Sequence, residues 1–404
     1  MASGSTTLRS LVPSMFLPAM VFEIGNGAVL PVVAITALDL GASAGTAGLL
    51  VALLGIGQLA GNLPAAALAA RLGDRRAMCV AGGVSAVVML GAMLSPSLIG
   101  FGACLLVLGG CNATFYLARQ SYLTDVAPLD LRARALSMLG GSHRVGLFIG
   151  PFVGAAVIGL TSLRAAYGVA IATALLTVLV LLVVRDVEPV GWTATPAPAA
   201  ARTGMLATVR AHRRLLLTLG VAVLAIGATR AARQVVLPLW AVHLGLGPQE
   251  TSLVFGIAGA VDMALFYPSG KVMDRYGRLA VAVPSMLVLG GAMIALPLTG
   301  GIVGLTAVAM VMSFGNGIGS GIVMTLGADV APPDNRLRFL SAWRVMSDSG
   351  NALGPVAVSA VAGAFGLAAG IATVGGVGLL AAAALAVWAP RYSPFATLAM
   401  MRAR

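Results

Sequence analysis

Three carboxylates sit where carboxylates are costly: Glu23 in the run VFEIGNG, Asp262 in GAVDMAL and Asp348 in VMSDSGN. A charged side chain at the depth of a lipid bilayer costs at least about 2.5 kcal/mol, which makes each of them a candidate for function. Two kinds of chemistry are open to such a group. Desolvation raises its proton affinity until it binds and releases a proton near neutral pH, or a nearby cation holds it ionised as a structural pair. The cations at hand are Arg144, Arg230, Arg233 and Arg344, which lie in apolar runs of the same kind. Amides accompany them: Asn26 beside Glu23, and Asn112 and Asn316, which are 204 residues apart, the first with Tyr116 one helical turn on. Such amides either hold a small molecule or glue helices together. His143 either titrates near neutral pH or is a packed histidine near a helix end. Arg119, beside Gln120, reads as a side chain that snorkels to the membrane surface. The sequence contains no phosphate-binding loop, metal-ligand cluster or nucleophile with a base, so neither an enzyme nor a cofactor is expected, and ATP is not the energy source.

The elements that must position these groups are apolar and long. Of 404 residues 59% are hydrophobic and 9% charged, against about 25% charged in a soluble domain. Runs of about 20 residues, enough to cross about 30 Å of hydrocarbon, fall at 11–37, 45–70, 77–95, 98–120, 136–159 and 163–184, and again at 214–242, 249–272, 279–298, 301–326, 339–362 and 366–388. Residues 185–213 between the two sets contain TATPAPAAARTG and read as a linker, with a short surface helix over Met205 to Arg214. The fold expected is an all-α integral membrane protein of twelve transmembrane helices in two pseudo-symmetric six-helix bundles, 1–184 and 214–404.

The net charge of +12 comes from 25 basic residues, all arginine except Lys271, set in short clusters between apolar runs. That scatter speaks against a nucleic-acid face and for positive-inside anchoring. With alternating helices, Arg9, Arg71, Arg75, Arg76, Arg132, Arg134, the linker, Lys271, Arg275, Arg278, Arg336, Arg338, Arg391, Arg402 and Arg404 share one side, and the other connections hold only Arg164. Both termini are therefore expected in the cytoplasm, with the chain crossing the inner (plasma) membrane many times. Cys79, Cys104 and Cys111 all lie in apolar segments and read as small buried hydrophobes.

The two sets of segments repeat each other. Adding 204 carries Asp125, Pro128, Asp130, Arg132, Arg134, Leu136 and Ser137 onto Asp329, Pro332, Asp334, Arg336, Arg338, Leu340 and Ser341, and Gly146, Gly150 and Pro151 onto Gly350, Gly354 and Pro355, without a gap. An internal repeat of half the chain in an apolar sequence marks two like-oriented halves related by an axis along the membrane normal. In the fifth segment Gly141, Gly146, Gly150, Pro151 and Gly154 form a bare stripe for close helix approach, with a proline that removes one hydrogen bond. This stripe resembles the glycine-proline motif on the fifth helix of the major facilitator superfamily, where it is associated chiefly with exporters. Gly270, Asp274, Arg275, Gly277 and Arg278 likewise resemble the superfamily's short cytoplasmic loop. The first copy keeps Arg71 and Gly73 of that loop but has Ala66 and Ala70 in place of the Gly and the Asp.

The resemblance implies helices 1, 4, 7 and 10 around a central cavity, helix 5 beside helix 8, and helix 11 beside helix 2. Arg144 and Asp262, at depths of roughly 12 and 16 Å, are then expected to pair, leaving Asp348 opposite neutral Gln58. The glycine stripe is expected to face helix 8 and to gate access together with Arg71, Gly73, Arg144, Gly146, Gly150, Pro151, Gly154, Gly270, Asp274, Arg275, Gly277, Arg278, Gly354 and Pro355. Asp274 is expected to latch the inner gate. Glu23, Asn26, Asn112, Tyr116, Arg230, Arg233 and Asn316 become the candidate binding residues for a small-molecule substrate, and Glu23, Asp348 and Asp262 the candidate proton carriers. No other protein chain is needed, and the expected state is a monomer in the lipid bilayer.

Three functions fit: a proton-coupled antiporter exporting small amphipathic compounds, a proton-coupled importer of a polar or anionic metabolite, and a membrane receptor or lipid-handling protein without ion coupling. All three share one topology. Cysteines placed at Arg202 and Arg404 are expected to resist an impermeant thiol reagent applied to intact cells, and a cysteine at Gly247 to react; labelling at 202 from outside reverses the orientation.

Overall fold

The structure, a computed structural model, describes residues 12–127, 131–184, 205–332 and 336–402. Arg9, Asp130, Asp334, linker residues 185–204 with Arg202, and Arg404 lie outside these, as do the side chains of Arg132 and Arg134. The described residues contain helices and no strand. Hydrocarbon offers the backbone no partner, so each crossing segment must bond within itself. The long helices are α1 (Val12–Asp39), α2 (Ala44–Leu72), α3 (Asp74–Leu94), α4 (Leu98–Val126), α5 (Arg132–Leu160), α6 (Ala165–Val183), α7 (Arg213–His243), α8 (Pro248–Tyr276), α9 (Leu279–Leu298), α10 (Gly301–Val330), α11 (Arg336–Phe365) and α12 (Leu367–Tyr392). Eleven of them are long and apolar enough to cross a membrane. The other, α11, has 30 residues but carries Arg336, Arg338, Arg344 and Asp348 in its first half. The short helix expected ahead of the second set spans Met205–Ala211.

Local chemistry sets the breaks. Pro31 cannot donate to a preceding turn, and α1 tightens to a 3₁₀ turn over Leu30–Val32. Thr36 donates back to Val32 O at 2.9 Å and accepts from Tyr167 of α6 at 2.8 Å, which fixes the C-terminal part of α1. Ser97 caps α4 by accepting from Gly100 N at 3.2 Å. Gly73 and Gly277, 204 residues apart, end α2 and α8 with φ of 81° and 95°, a region that glycine enters without a Cβ penalty. In α10 the helix stops at Ile318 and restarts at Ile322, with Gly321 at φ 80° between the two parts.

The chain divides into two compact units: Met1–Gly41, Leu53–Pro198 and Pro248–Gly256 in the first, and Ala42–Ala52, Ala199–Gly247 and Ile257–Arg404 in the second. In the first, α1 packs on α5 and α6, and α3 on α4 and α6; in the second, α7 packs on α11 and α12, and α9 on α10 and α12. The pairing pattern is the same after six helices. The first turns of α8 meet α5 inside the first unit, where a Cβ on Gly256 would come within 2.7 Å of the Phe152 ring. The first turns of α2 meet α11 inside the second, with Gly45 and Gly48 against Ser359.

The glycine stripe of α5 faces α1, which corrects the expectation that it faces α8. A Cβ on Gly146 would stand 2.5 Å from Met20 O and from Glu23 Cβ, one on Gly150 2.5 Å from Ile24 O, and one on Gly154 3.0 Å from Ala28 O. The second copy repeats the arrangement, with Gly350 against Leu224 O and Gly354 against Ala228 O of α7. The physical reason is that α1 and α7 present small residues, Gly27 and Ala28 or Gly227 and Ala228, to α5 and α11, so the backbones touch. Gly270, by contrast, has open space where its Cβ would be.

This packing turns the stripe into a stability element. Gly150→Leu is expected to cost at least the roughly 1–3 kcal/mol typical of overpacking, seen as a lowered melting temperature and loss of monodisperse protein in detergent. Gly141→Ala, where nothing lies within 4 Å, is expected to behave like the parent. A Gly150→Leu variant that keeps the parent's melting temperature contradicts the packing.

Candidate functional site

The most buried charge in the first unit is Glu23, whose side chain is 0% exposed. Each of its oxygens has two neighbours. Oε1 lies 3.2 Å from Arg119 NH1 of α4 and 2.7 Å from His143 Nδ1 of α5, an ion-pair separation that is off the line of an ideal hydrogen bond. Oε2 accepts from Asn26 Nδ2 at 3.2 Å and from the Tyr116 hydroxyl of α4 at 3.3 Å. Three helices thus converge on one carboxylate. The Arg119 guanidinium also lies 4.5 Å from the centre of the Tyr116 ring, and the Tyr116 and His143 rings meet edge to face at 5.7 Å. Phe22 stacks on Phe115 at 4.1 Å, and both are buried.

Arg119 corrects the sequence reading. It does not snorkel: it is 9% exposed and held by Glu23. Glu23, expected beside a central cavity as a candidate proton carrier and binding residue, is surrounded by donors. Asn112 lies one turn before Tyr116, and its Oδ1 is buried without a hydrogen bond from the described residues. A small cavity on the other side of α1 is lined by Phe22, Asn26, Ser85 and Met89 among others.

The second unit has its own cluster. Asp262 Oδ2 accepts from Asn316 Nδ2 of α10 at 2.7 Å and lies 3.5 Å from Arg233 NH2 of α7, while Arg233 NH1 donates to Ser313 Oγ at 2.6 Å. Arg230 NH2 donates to Gly319 O, at the break in α10, at 2.6 Å. The structure therefore brings together Asp262, Arg233 and Asn316, which the sequence named separately, and adds Ser313. The expected pairing of Asp262 with Arg144 joins residues of different units; within its own unit Asp262 is held by α7 and α10.

Asp348 was expected without a cation. It has one: Arg344 Nε is 3.6 Å from Oδ2, one turn back on α11, with the Asp348 side chain 25% exposed. The i, i+4 spacing was readable in the sequence.

At the loop after α8, Asp274 is 79% exposed and lies 3.2 Å from Arg278, whose main partner is Asp329 at 2.9 Å. Burial disfavours the Arg278 cation, but the carboxylates of Asp329 and Asp274 outweigh it and hold its pKa above that of free arginine. Ser393 donates to Asp329 at 3.1 Å, and Phe395 O and Ala396 O accept from the N–H groups of Arg278 and Leu279, so the segment after α12 straps this loop. Arg275 lies over Tyr276, and Arg71 and Gly73 are exposed at the equivalent turn. In the first unit Arg75 ties that turn to the carbonyls of Leu181 and Val184. Pro151 and Pro355 stand inside α5 and α11.

A polytopic helical protein built twice over, with a buried charge cluster in each half, has the organisation of a secondary transporter. The chain belongs to the Major Facilitator Superfamily, whose family model matches residues 15–355 and again 222–398. Among solved structures it is similar to a bacterial homologue of the human lysosomal transporter Spinster, in an inward-facing and unoccupied conformation (16% identity, 99% of this chain and 98% of that one, TM-score 0.71). It is also similar to a D-xylose-proton symporter (17%, 96% and 98%, 0.68) and to the nucleoside transporter NupG (14%, 95% and 99%, 0.73). At these identities the likeness is one of fold. No curated protein sequence matches the chain.

The geometry makes Arg119 the counter-ion without which Glu23 is an uncompensated buried charge. Arg119→Gln is expected to destabilise the protein by about 3–5 kcal/mol, and Glu23→Gln with Arg119→Gln to recover much of the loss. Thermal unfolding of the purified proteins in one detergent decides it; a double variant no more stable than Arg119→Gln refutes the pair.

Proposed function

We propose that this transporter is a proton-coupled antiporter that exports small amphipathic compounds, its two six-helix halves, 1–184 and 214–404, alternating access to a site between helices 1, 4, 7 and 10. The linker 185–213 and both termini are placed in the cytoplasm, in the plasma membrane. The observation that carries this reading is Glu23: a fully buried carboxylate shared by α1, α4 and α5, with a histidine against it. A structural ion pair needs one cation. Glu23 has Arg119 and, in addition, the imidazole of His143, a group that can gain or lose a proton. A change of proton number there alters how strongly three helices hold one another, which is what coupling demands. Asn26, Tyr116 and Asn112 line the same region and supply uncharged contacts for a substrate, while Phe22 and Phe115 lie beside them.

A second reading is an importer of a polar or anionic metabolite. What favours it is the pair Arg230 and Arg233 on α7, with Asp262 as the carboxylate beside Arg233, so that this cluster of the second unit carries more positive than negative charge.

Proteoliposomes with an imposed pH gradient and a pH dye inside test both. A panel of amphipathic cations, neutral compounds and organic anions is screened for proton movement. The antiport reading expects a cationic or neutral amphipath to drive protons in the opposite direction, Glu23→Gln to abolish uphill transport while downhill exchange survives, and Asp348→Asn to remain coupled. Co-movement of protons with an anion favours the importer, and a fully coupled Glu23→Gln overturns the assignment of the site.

A further inference from the structure

We infer that the coupled proton is carried by the imidazole of His143, with Glu23 remaining a carboxylate throughout the cycle. The inference rests on the proton-coupled reading above and names the atom that takes the proton.

Glu23 is poorly placed to receive a proton. Its side chain has no exposure, so water does not reach it. Both oxygens already face donors: the Arg119 guanidinium, which cannot lose its proton, the Asn26 amide and the Tyr116 hydroxyl, at 3.2, 3.2 and 3.3 Å. Adding a proton to the carboxyl sets it against one of these donors and leaves Arg119 buried without its anion, which is the costly half of a broken pair.

His143 is well placed. Its side chain is 29% exposed although Nδ1 is buried, so the exposure lies on the rest of the side chain. Nδ1 is 2.7 Å from Glu23 Oε1, which favours the neutral tautomer with its hydrogen on Nδ1 and leaves the Nε2 lone pair free. A proton from water binds that lone pair, no other bond changes, and the resulting imidazolium is held against Glu23. Release is the reverse step.

The charged and titratable groups around this ring are few. From α1 there is Glu23. From α4 there are Tyr116, edge to face with the ring, and Arg119 on the same Glu23 oxygen. Arg144 follows on α5 itself. The titratable group of α6 is Tyr167, which donates to Thr36. The first turns of α8 bring Glu250, next to the Gln249 that meets Gly159, about 24 Å along α5 from His143 at 1.5 Å per residue. One anion, Glu23, and two guanidinium groups, Arg119 and Arg144, therefore set the balance, and the imidazole is what changes.

The test uses the full-length protein in lipid nanodiscs, labelled with ¹⁵N-histidine. With three histidines in the chain, the His143 signals are assigned by their loss in His143→Gln. Spectra are recorded from about pH 5 to 8, over which the ring is expected to pass between its neutral and protonated states, and the response is expected to change in Glu23→Gln, where the anion is gone. Infrared difference spectra over the same range are expected to contain no protonated-carboxyl band that Glu23→Gln removes. In proteoliposomes His143→Gln is expected to lower gradient-driven accumulation at least ten-fold, to the downhill level. A His143 ring that stays in one state across this range, or a carboxyl band lost in Glu23→Gln, overturns the inference; the spectra of the parent and His143→Gln suffice if Glu23→Gln does not fold. Absence of any proton-linked flux in the parent instead removes the proton-coupled reading and leaves the protonation of the ring to be judged by the spectra.

Discussion

The contact on which the first unit depends is the approach of α5 to α1 along Gly146, Gly150 and Gly154. Backbone meets backbone there, because a Cβ at any of these three positions would stand 2.5–3.0 Å from Met20, Ile24 or Ala28, closer than ordinary van der Waals contact. The closeness has a chemical result as well as a packing one. Gly146 is the residue that abuts Glu23, and His143 stands one turn before it, so the missing side chain at 146 is what allows the ring at 143 to reach the carboxylate. Packing and electrostatics are here one arrangement.

The two halves share this backbone arrangement and differ in what they mount on it. Gly350 and Gly354 bring α11 onto α7 as Gly146 and Gly150 bring α5 onto α1. In the register of 204 that these contacts share, Glu23 falls on Gly227 and Asn26 on Arg230. The anion of the second unit, Asp262, comes from α8 instead. The two halves thus mount their carboxylates on different helices of one scaffold.

Much of the fold was legible because the bilayer permits few solutions: the segment lengths, the register of 204 and the glycine-rich turns follow from composition and repeat alone. The candidate site was legible in part. Glu23, Asn26 and Tyr116 stand out as polar groups in apolar helices, and they do meet. Arg119 did not stand out, since an arginine near a helix end snorkels unless an acid 96 residues earlier is folded against it, and helical periodicity gives a face but not the neighbour it meets. The same gap misdirected the glycine stripe. His143 shares the stripe's side of α5, about 60° from Gly146, so the ring's partner became readable only once the stripe's partner was known.

On the inference that His143 carries the proton, Glu23 and Arg119 cancel, and the charge of the α1–α4–α5 cluster is that of one imidazole, zero or plus one, and never negative. A carrier of this kind responds to voltage as well as to acidity. A positive charge moved across the whole membrane changes energy by roughly 2.3 kcal/mol per 100 mV, so the half-cycle in which the cluster is charged is pushed or held by the membrane potential, and the half-cycle in which it is neutral is not. For a neutral cargo, a proton exchange of that kind would be electrogenic. For a monovalent cation traded against one proton the two crossings would carry equal charge, and the potential would drop out of the balance.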